Sequence, residues 1–433
     1  MNFKMILPVL LLSSLLPAGA QAPVRKLPAR LSVEDAEKIA LANNPRITIA
    51  RLEELLQHEA VRETRSIELP QLAANITAVD AEDASRLTAG ALNNPVLYTR
   101  AAAGLSATQL LTDFGRTHHL VKSAQFEDKA QKDALLATHD EISLIVDRAF
   151  YEALIRQKLL QIAEQTVAAR QSLDDEITAL TAAKLKSTLD RSFADSELSL
   201  AELHRVDAAT DAHNSMLDLL EVLGISGDQS TELSSDGNPL EMPLNLQADE
   251  LLQKALQNRP DLLALEDKAS AAEQMRKAEH DLSLPTISAT AAGGDTPVRS
   301  NSITKQWYGA AGVNLSIPLF TGERFSARSK EADLHALQAH ARVVEQQERI
   351  ERDLRKTLFS TQAAYQRIAV TQQILDESNL ALQLASSRYK LGLSNIVELN
   401  DAQNAQVAAE IGAANARYAY RIWSAELRFQ IGQ

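Results

Sequence analysis

Two carboxylates near the C-terminal end are the most suggestive chemical feature of the sequence. Glu398 and Asp401 are three residues apart, so on a helix they share one face. They follow Gly392, Leu393 and Ser394, a turn whose glycine suits a position of positive φ. Multiplied by symmetry into rings, such acids favour cations and regulate what passes through a constriction. As exposed charges in the first turns of a helix they also stabilise its dipole. No catalytic constellation accompanies them. The nine histidines are scattered, and on a helix the adjacent His118 and His119 point about 100° apart rather than converging on a metal. Most other acids fit solvated helix faces or i,i+4 pairs such as Glu348 with Arg352. Gly293-Gly294 lacks the Lys-Ser/Thr chemistry of a P-loop. Neither an enzyme nor a bound cofactor or metal is expected.

The elements that must position these residues are long helices. Among 433 residues there are only 15 glycines and 13 prolines, about half of average usage, and aromatics make up only 4% against 45% hydrophobic residues in all. Aliphatic content of that kind suits narrow helix–helix seams. A net charge of −13 and a pI of 5.3 argue against nucleic-acid binding. The absence of cysteine excludes disulfides, thiolate sites and a lipid-modified N-terminal cysteine. With a mean hydropathy of −0.18 and one apolar run, no helical membrane protein is expected. That run, Met5 to Leu16 after Lys4 and before Ala18-Gly19-Ala20, predicts a secretory signal peptide over residues 1–22 and work outside the cytoplasm.

The chain is written twice. Leu31 to Pro45 matches Leu246 to Pro260 at an offset of 215, and Leu69-Pro70 falls on Leu284-Pro285 at the same offset. Later landmarks shift: Gly115 aligns with Gly322, 207 apart, and Leu223-Gly224 with Ile431-Gly432, 208 apart. A period this long means duplication of a domain-sized unit rather than a solenoid. The repeats are predicted over 31–224 and 246–432, joined by a Ser-, Gly-, Asp- and Pro-rich segment, 225–245.

Within a repeat, Ser32 with Asp35 opens a helix that Pro45 interrupts and that resumes to about Glu68. Alternation predicts strands at about 70–80 and 100–112, then at about 285–294 and 306–318, with Gly293-Gly294 beginning the turn between the latter two. Long helical hairpins follow at 116–223 and 323–430. The 65 residues from Arg116 to Leu180 contain neither Gly nor Pro and would span about 98 Å.

Four strands of about ten residues cannot close a barrel, and an open sheet edge in lipid leaves backbone groups unsatisfied. Three copies pooling their strands give twelve, within the range of membrane barrels. Trp307 and Tyr308 at the start of the fourth strand, and Tyr98 before the second, stand where interfacial aromatic anchors belong. Each alone also suits an ordinary sheet end.

Asn-x-Pro and Asn-Arg-Pro helix starts, Leu-Pro before each strand pair, Ser-Ile-Pro-Leu-Phe-Thr-Gly at 316–322 and Arg388 to Gln403 at the hairpin tip recur in one order. In this the sequence resembles the TolC family of outer-membrane efflux and secretion channels over nearly all of 31–432. The resemblance implies a mostly α fold with a small membrane β-barrel: a homotrimer with a twelve-stranded barrel and a periplasmic tunnel of packed helices. It further implies an exit duct in the outer membrane of a Gram-negative bacterium, surrounded by lipid. Its partners would be a periplasmic adaptor and an inner-membrane pump of RND, ABC or MFS class, in efflux or type I secretion. It places Glu398 and Asp401 on the family's acidic entrance positions and Tyr389 on a gate tyrosine. Asp190 falls on the acid that this tyrosine contacts in the closed state.

Two departures stand out. Lys184 occupies the place of Gly392 in the first-half turn, which therefore calls for a different backbone solution. Ser394 stands where a gate arginine occurs in a well-known member, so Lys184 or Lys186 is expected to supply the positive partner to a neighbouring acid. The hairpin tips, with Lys184, Lys186, Gly392, Leu393 and Ser394, are the expected adaptor-docking surface. The competing reading is a non-pore periplasmic adaptor, although one of those carries a single hairpin within β-rich flanks.

Overall fold

The computed structural model describes residues 27–82, 99–227, 229, 231–234, 247–299 and 306–432. The signal-peptide segment, Tyr98 and most of 225–245 lie outside the described residues. In the first half, α1 (Val33–Asn43) begins where the Ser32 hydroxyl accepts the Asp35 N–H at 3.2 Å. Pro45 takes the first position of α2 (Pro45–Arg65), where its missing N–H has no intrahelical partner to lose. Strands β2 (Gln71–Val79) and β3 (Arg100–Thr112) lead into α3 (Arg116–Ala182) and α4 (Thr188–Val222). The second half repeats the order with α5 (Ala248–Asn258), α6 (Pro260–His280), β5 (Thr286–Arg299), β6 (Trp307–Ser316), α7 (Arg324–Lys390) and α8 (Ile396–Gln430). A short parallel pair, β1 (Arg30–Leu31) with β4 (Glu232–Leu233), ties the N-terminal segment to the segment after α4. Helices α3 and α7 have 67 residues each, about 100 Å at 1.5 Å per residue.

Burial follows the duplication. The core of the first half holds Ala36, Ala40 and Ile47 against Ile142, Val146, Phe150 and Leu223. The second core holds Leu251, Ala255 and Leu262 against Ile350, Leu354, Leu358 and Ile431. The first three pairs are offset by 215 and the last four by 208, so the difference of seven residues falls between the strands of each pair. The offset of 208 already holds at the helix starts, which corrects the alignment of Gly115 with Gly322. Phe114 (φ 58°) matches Gly322 (φ 62°), and Gly115 (φ 117°) matches Glu323 (φ 64°), both pairs in left-handed backbone ahead of Arg116 and Arg324.

The four-stranded sheet runs β2-β3-β5-β6, antiparallel throughout, and leaves β2 and β6 as edges. Register sorts its residues sharply. One face carries Leu72, Ile76, Leu105, Ile287, Val313 and Leu315; the other carries Asn75, Ser106, Thr108, Ser288, Thr290 and Asn314. Gly293-Gly294 does not begin a turn: both residues lie inside β5, paired with Leu105 and Gly104 on one side and with Gly309 and Tyr308 on the other. Among the described residues no helix is long and apolar enough to cross a membrane.

Beneath the sheet the helices form a single row. Near the sheet, α3 and α6 lie between α2 and α7; farther away, α3 and α8 lie between α4 and α7. The flanking helices keep large apolar side chains exposed, among them Leu52 and Leu56 on α2, Leu203 on α4, and Leu337 and Phe359 on α7.

Candidate functional site at the hairpin tips

The hairpins reverse far from the sheet, and both turns are built alike. The Leu185 N–H donates to the Leu180 carbonyl at 2.9 Å and the Lys184 N–H to Thr181 at 3.0 Å. In the second half Leu393 donates to Arg388 at 2.9 Å and Gly392 to Tyr389 at 3.1 Å. This is the Schellman closure, which satisfies the last helical carbonyls through one left-handed residue. Lys184 takes that role with φ 60°, as Gly392 does with φ 71°. The expectation of a different backbone solution at Lys184 is therefore corrected: the need of the helix end for partners outweighs the roughly 1–2 kcal/mol that a left-handed L-residue costs.

The returning helices are capped in parallel. The Ser187 hydroxyl accepts the Asp190 N–H at 3.0 Å while the Asp190 carboxylate accepts the Ser187 N–H at 3.2 Å, a reciprocal capping box. Asn395 accepts the Glu398 N–H at 2.9 Å. Asp190 and Glu398 thus hold the same place in their helices, 208 apart, near the positive end of the dipole.

Side chains join the two tips. Tyr389 is buried with Ile177, Ala194, Ile396 and Leu399. The Lys186 ammonium stands 3.9 Å from the centre of its ring. No hydrogen bond links Tyr389 to Asp190; the phenol oxygen is buried without a partner in the chain. Burial pushes the Tyr389 hydroxyl up, and the charges of Asp190 and Glu176 add to this. Lys186 therefore sits over an aromatic face rather than on an acid. Arg388 does meet an acid, its Nε lying 3.0 Å from Glu398 Oε1. Asp401 stands exposed one turn farther along α8. Ser394 keeps its hydroxyl buried without a partner, while Leu185, Leu189, Leu391 and Leu393 are all exposed.

Higher up, Arg170 on α3 makes a second junction that the sequence reading missed. Its guanidinium is buried and donates to Asn400 Oδ1 at 2.6 Å, to Asn404 Oδ1 at 2.6 Å and to Gln403, all on α8. Glu197 on α4 lies 3.5 Å away. Burial pulls the guanidinium below its ordinary value and Glu197 opposes the shift. One side chain thereby ties three helices together. Among the described residues no group of three or more His, Asp and Glu is placed to hold a metal ion.

Trp307 and Tyr308 are separated by strand alternation. Trp307 lies on the apolar face and Tyr308 on the face with Asn314 and Thr290, so the two do not form one anchor.

An edge-bearing sheet with its large aliphatic side chains on one face leads into two antiparallel hairpins whose long arms span about 100 Å. The chain belongs to the family described as Outer membrane efflux protein, which matches residues 37–225 and 251–433. It is 23% identical to Outer membrane efflux protein BepC of Brucella suis over 88% of this chain and 80% of that protein. It is 24% identical to Outer membrane protein TolC of Vibrio cholerae, over 97% of this chain and 96% of that one. Its fold matches a crystal structure of CusC with a TM-score of 0.80 at 20% identity, covering 92% of each chain. It also matches the outer membrane protein VceC of Vibrio cholerae, with a TM-score of 0.78 at 18% identity, over 92% of this chain and 96% of that one. The family is one of efflux channels rather than of enzymes.

Proposed function

We propose that three copies of this chain close their sheets into a twelve-stranded outer-membrane barrel and their helices into a periplasmic tunnel. The observation that carries this reading is the four-stranded sheet, whose two edge strands are unpaired among the described residues and whose one face gathers Leu72, Ile76, Leu105, Ile287, Val313 and Leu315. Pairing β6 of one copy with β2 of the next satisfies the edge N–H and C=O groups that lipid would otherwise leave bare. The exposed leucines and phenylalanine of α2, α4 and α7 lie at the same lateral borders, where a neighbouring copy would cover them.

The tunnel is the exit duct of a tripartite efflux or type I secretion system. A signal peptide over 1–22 delivers it, the barrel rather than a lipid anchor holds it in the membrane, and its tip docks a periplasmic adaptor bound to an inner-membrane pump. Lys184, Lys186, Gly392, Leu393 and Ser394 form that docking end, with exposed Leu185, Leu189 and Leu391 adding apolar contact area. Tyr389, Asp190, Glu398 and Asp401 form the gate. Outer-membrane preparations settle the matter: detergent-extracted protein that cross-links as a trimer, conducts ions in planar bilayers and co-purifies with an adaptor is the expected result. A soluble, non-conducting monomer would refute the proposal and leave the adaptor reading.

A further inference from the structure

Asn75, Gly104, Gly294 and Tyr308 form one row across all four strands, on the face that carries Ser106, Thr290 and Asn314. The row lies toward the end of the sheet farthest from the helices, because β6 runs from Trp307 toward α7. Tyr308 does not project from this face. A Cβ added to Gly104 would collide with the Tyr308 hydroxyl oxygen and stand 3.2 Å from its Cζ; one added to Gly294 would stand 2.6 Å from the same oxygen, but would collide first with the Ala103 carbonyl oxygen and come within 2.7 Å of Gly104 Cα. The phenol therefore lies across β5 and β3, in space that two missing side chains leave open. Neither glycine has a left-handed backbone, so conformational freedom does not account for them. Gly104 supplies room for the ring, and Gly294 both leaves room for it and lets the backbone of β3 approach closely.

We infer that Tyr308 lines the channel close to its outer mouth, and that the platform of Gly104 and Gly294 keeps its ring flat against the wall. Together the three residues set the largest solute that the mouth admits. The inference rests on the proposed closure of the sheet with its polar face inward. In a trimer three such rings face one lumen, and side chains on the platform would lift all three into it. Selection at this level is by bulk, since the row holds no charged group.

The absence of cysteine allows a clean test in intact cells. Asn314→Cys places one thiol on the same face, deeper along β6, and Val313→Cys places one on the lipid face as a control. A small charged maleimide and a large polymer-linked maleimide are added from outside. Both are expected to modify Asn314→Cys, and neither Val313→Cys. Adding Gly104→Ala should slow the large probe about tenfold and leave the small one unchanged, and Tyr308→Ala should restore the rate. Unchanged large-probe rates in Gly104→Ala, or slowing that persists without Tyr308, would overturn the inference. Should that variant fail to assemble, Tyr308→Ala alone decides: it must speed the large probe, and no change refutes the role. A parent channel in which even the small maleimide fails to reach Asn314→Cys would instead sink the closed barrel, and this inference with it.

Discussion

The ammonium of Lys186 and the ring of Tyr389 lie 3.9 Å apart, joining the turn of the first hairpin to the end of α7 in the second. A cation over an aromatic face contributes roughly 0.5–1 kcal/mol when exposed and about 2 kcal/mol when desolvated. Tyr389 is buried, which places this contact toward the upper part of that range. Lys186→Ala is expected to raise single-channel conductance in planar bilayers, with Lys186→Arg close to the parent. The double Lys184→Ala, Lys186→Ala variant should add little to Lys186→Ala. Equal conductance of Lys186→Ala and parent would remove Lys186 from the gate.

The two turns provide an internal control. Both close through a left-handed residue, but Lys184 bears a side chain there and Gly392 does not. An L-residue in that region costs roughly 1–2 kcal/mol, of which about 0.4–1 kcal/mol returns through the greater freedom of glycine in the unfolded chain. Lys184→Gly should therefore tighten its turn slightly, read as slower amide exchange at Leu185, and Gly392→Ala should speed exchange at Leu393. The same direction of change in both would show that the turns are not equivalent.

What could be read in the sequence was local or periodic. Pro45 and Pro260 mark helix starts, and the run after Arg116 without glycine or proline implies a rod. The offsets between halves survive as equivalent buried pairs such as Phe150 and Leu358. Alternation alone would have separated Trp307 from Tyr308. The platform beneath Tyr308 was out of reach, because it depends on the register that sets Gly104 opposite Gly294. Lys184 misled for a related reason: its type argues against left-handed backbone, while the carbonyls at the end of α3 require it. Arg170 meets partners 230 to 234 residues away, and only the spacing of Asn400 and Asn404, one turn apart on α8, hinted at a shared acceptor face.

The Arg170 junction ties the two hairpins of one chain together. Arg170→Ala leaves the amide oxygens of Asn400, Gln403 and Asn404 without their donor and Glu197 without its cation. Loss of a buried charge with its hydrogen bonds costs about 3 kcal/mol. Amide protection of α8 around residues 400–404 should fall while protection around Phe150 is kept, and tip conductance should rise. Arg170→Lys, which keeps charge but not the planar fork, should be intermediate. Unchanged protection in α8 would mean that Arg170 only fills space.

Glu127, on α3, has its carboxyl pushed up by burial, against a smaller opposing pull from Lys268. A raised acid binds a proton more tightly in the folded state. Its favourable contribution is complete below the unfolded value of about 4.3 and is lost as pH rises through the higher folded value. Glu127→Gln removes that loss. The variant should unfold at a higher temperature than the parent at neutral pH, and the gap should close toward pH 4. A gap that persists undiminished in acid would assign the effect to packing rather than to charge.

The two acids of α8 differ in their pairing. Arg388 lies 3.0 Å from Glu398 and cancels most of its field, whereas Asp401 stands exposed one turn on. In a threefold ring the uncompensated charge is therefore chiefly that of Asp401, and such rings draw cations. Asp401→Asn is expected to move the reversal potential in a potassium chloride gradient toward zero, and to weaken block by multivalent cations applied at the periplasmic end. Glu398→Gln acts by uncovering Arg388: each chain again loses one negative charge, so selectivity should fall by about as much as in Asp401→Asn. Combining Glu398→Gln with Arg388→Gln removes acid and base together and should return the reversal potential close to that of the parent. The Glu398→Ala, Asp401→Ala channel should be the least cation-selective of the set. Reversal potentials identical to the parent in that double variant would exclude these acids from the conducting path.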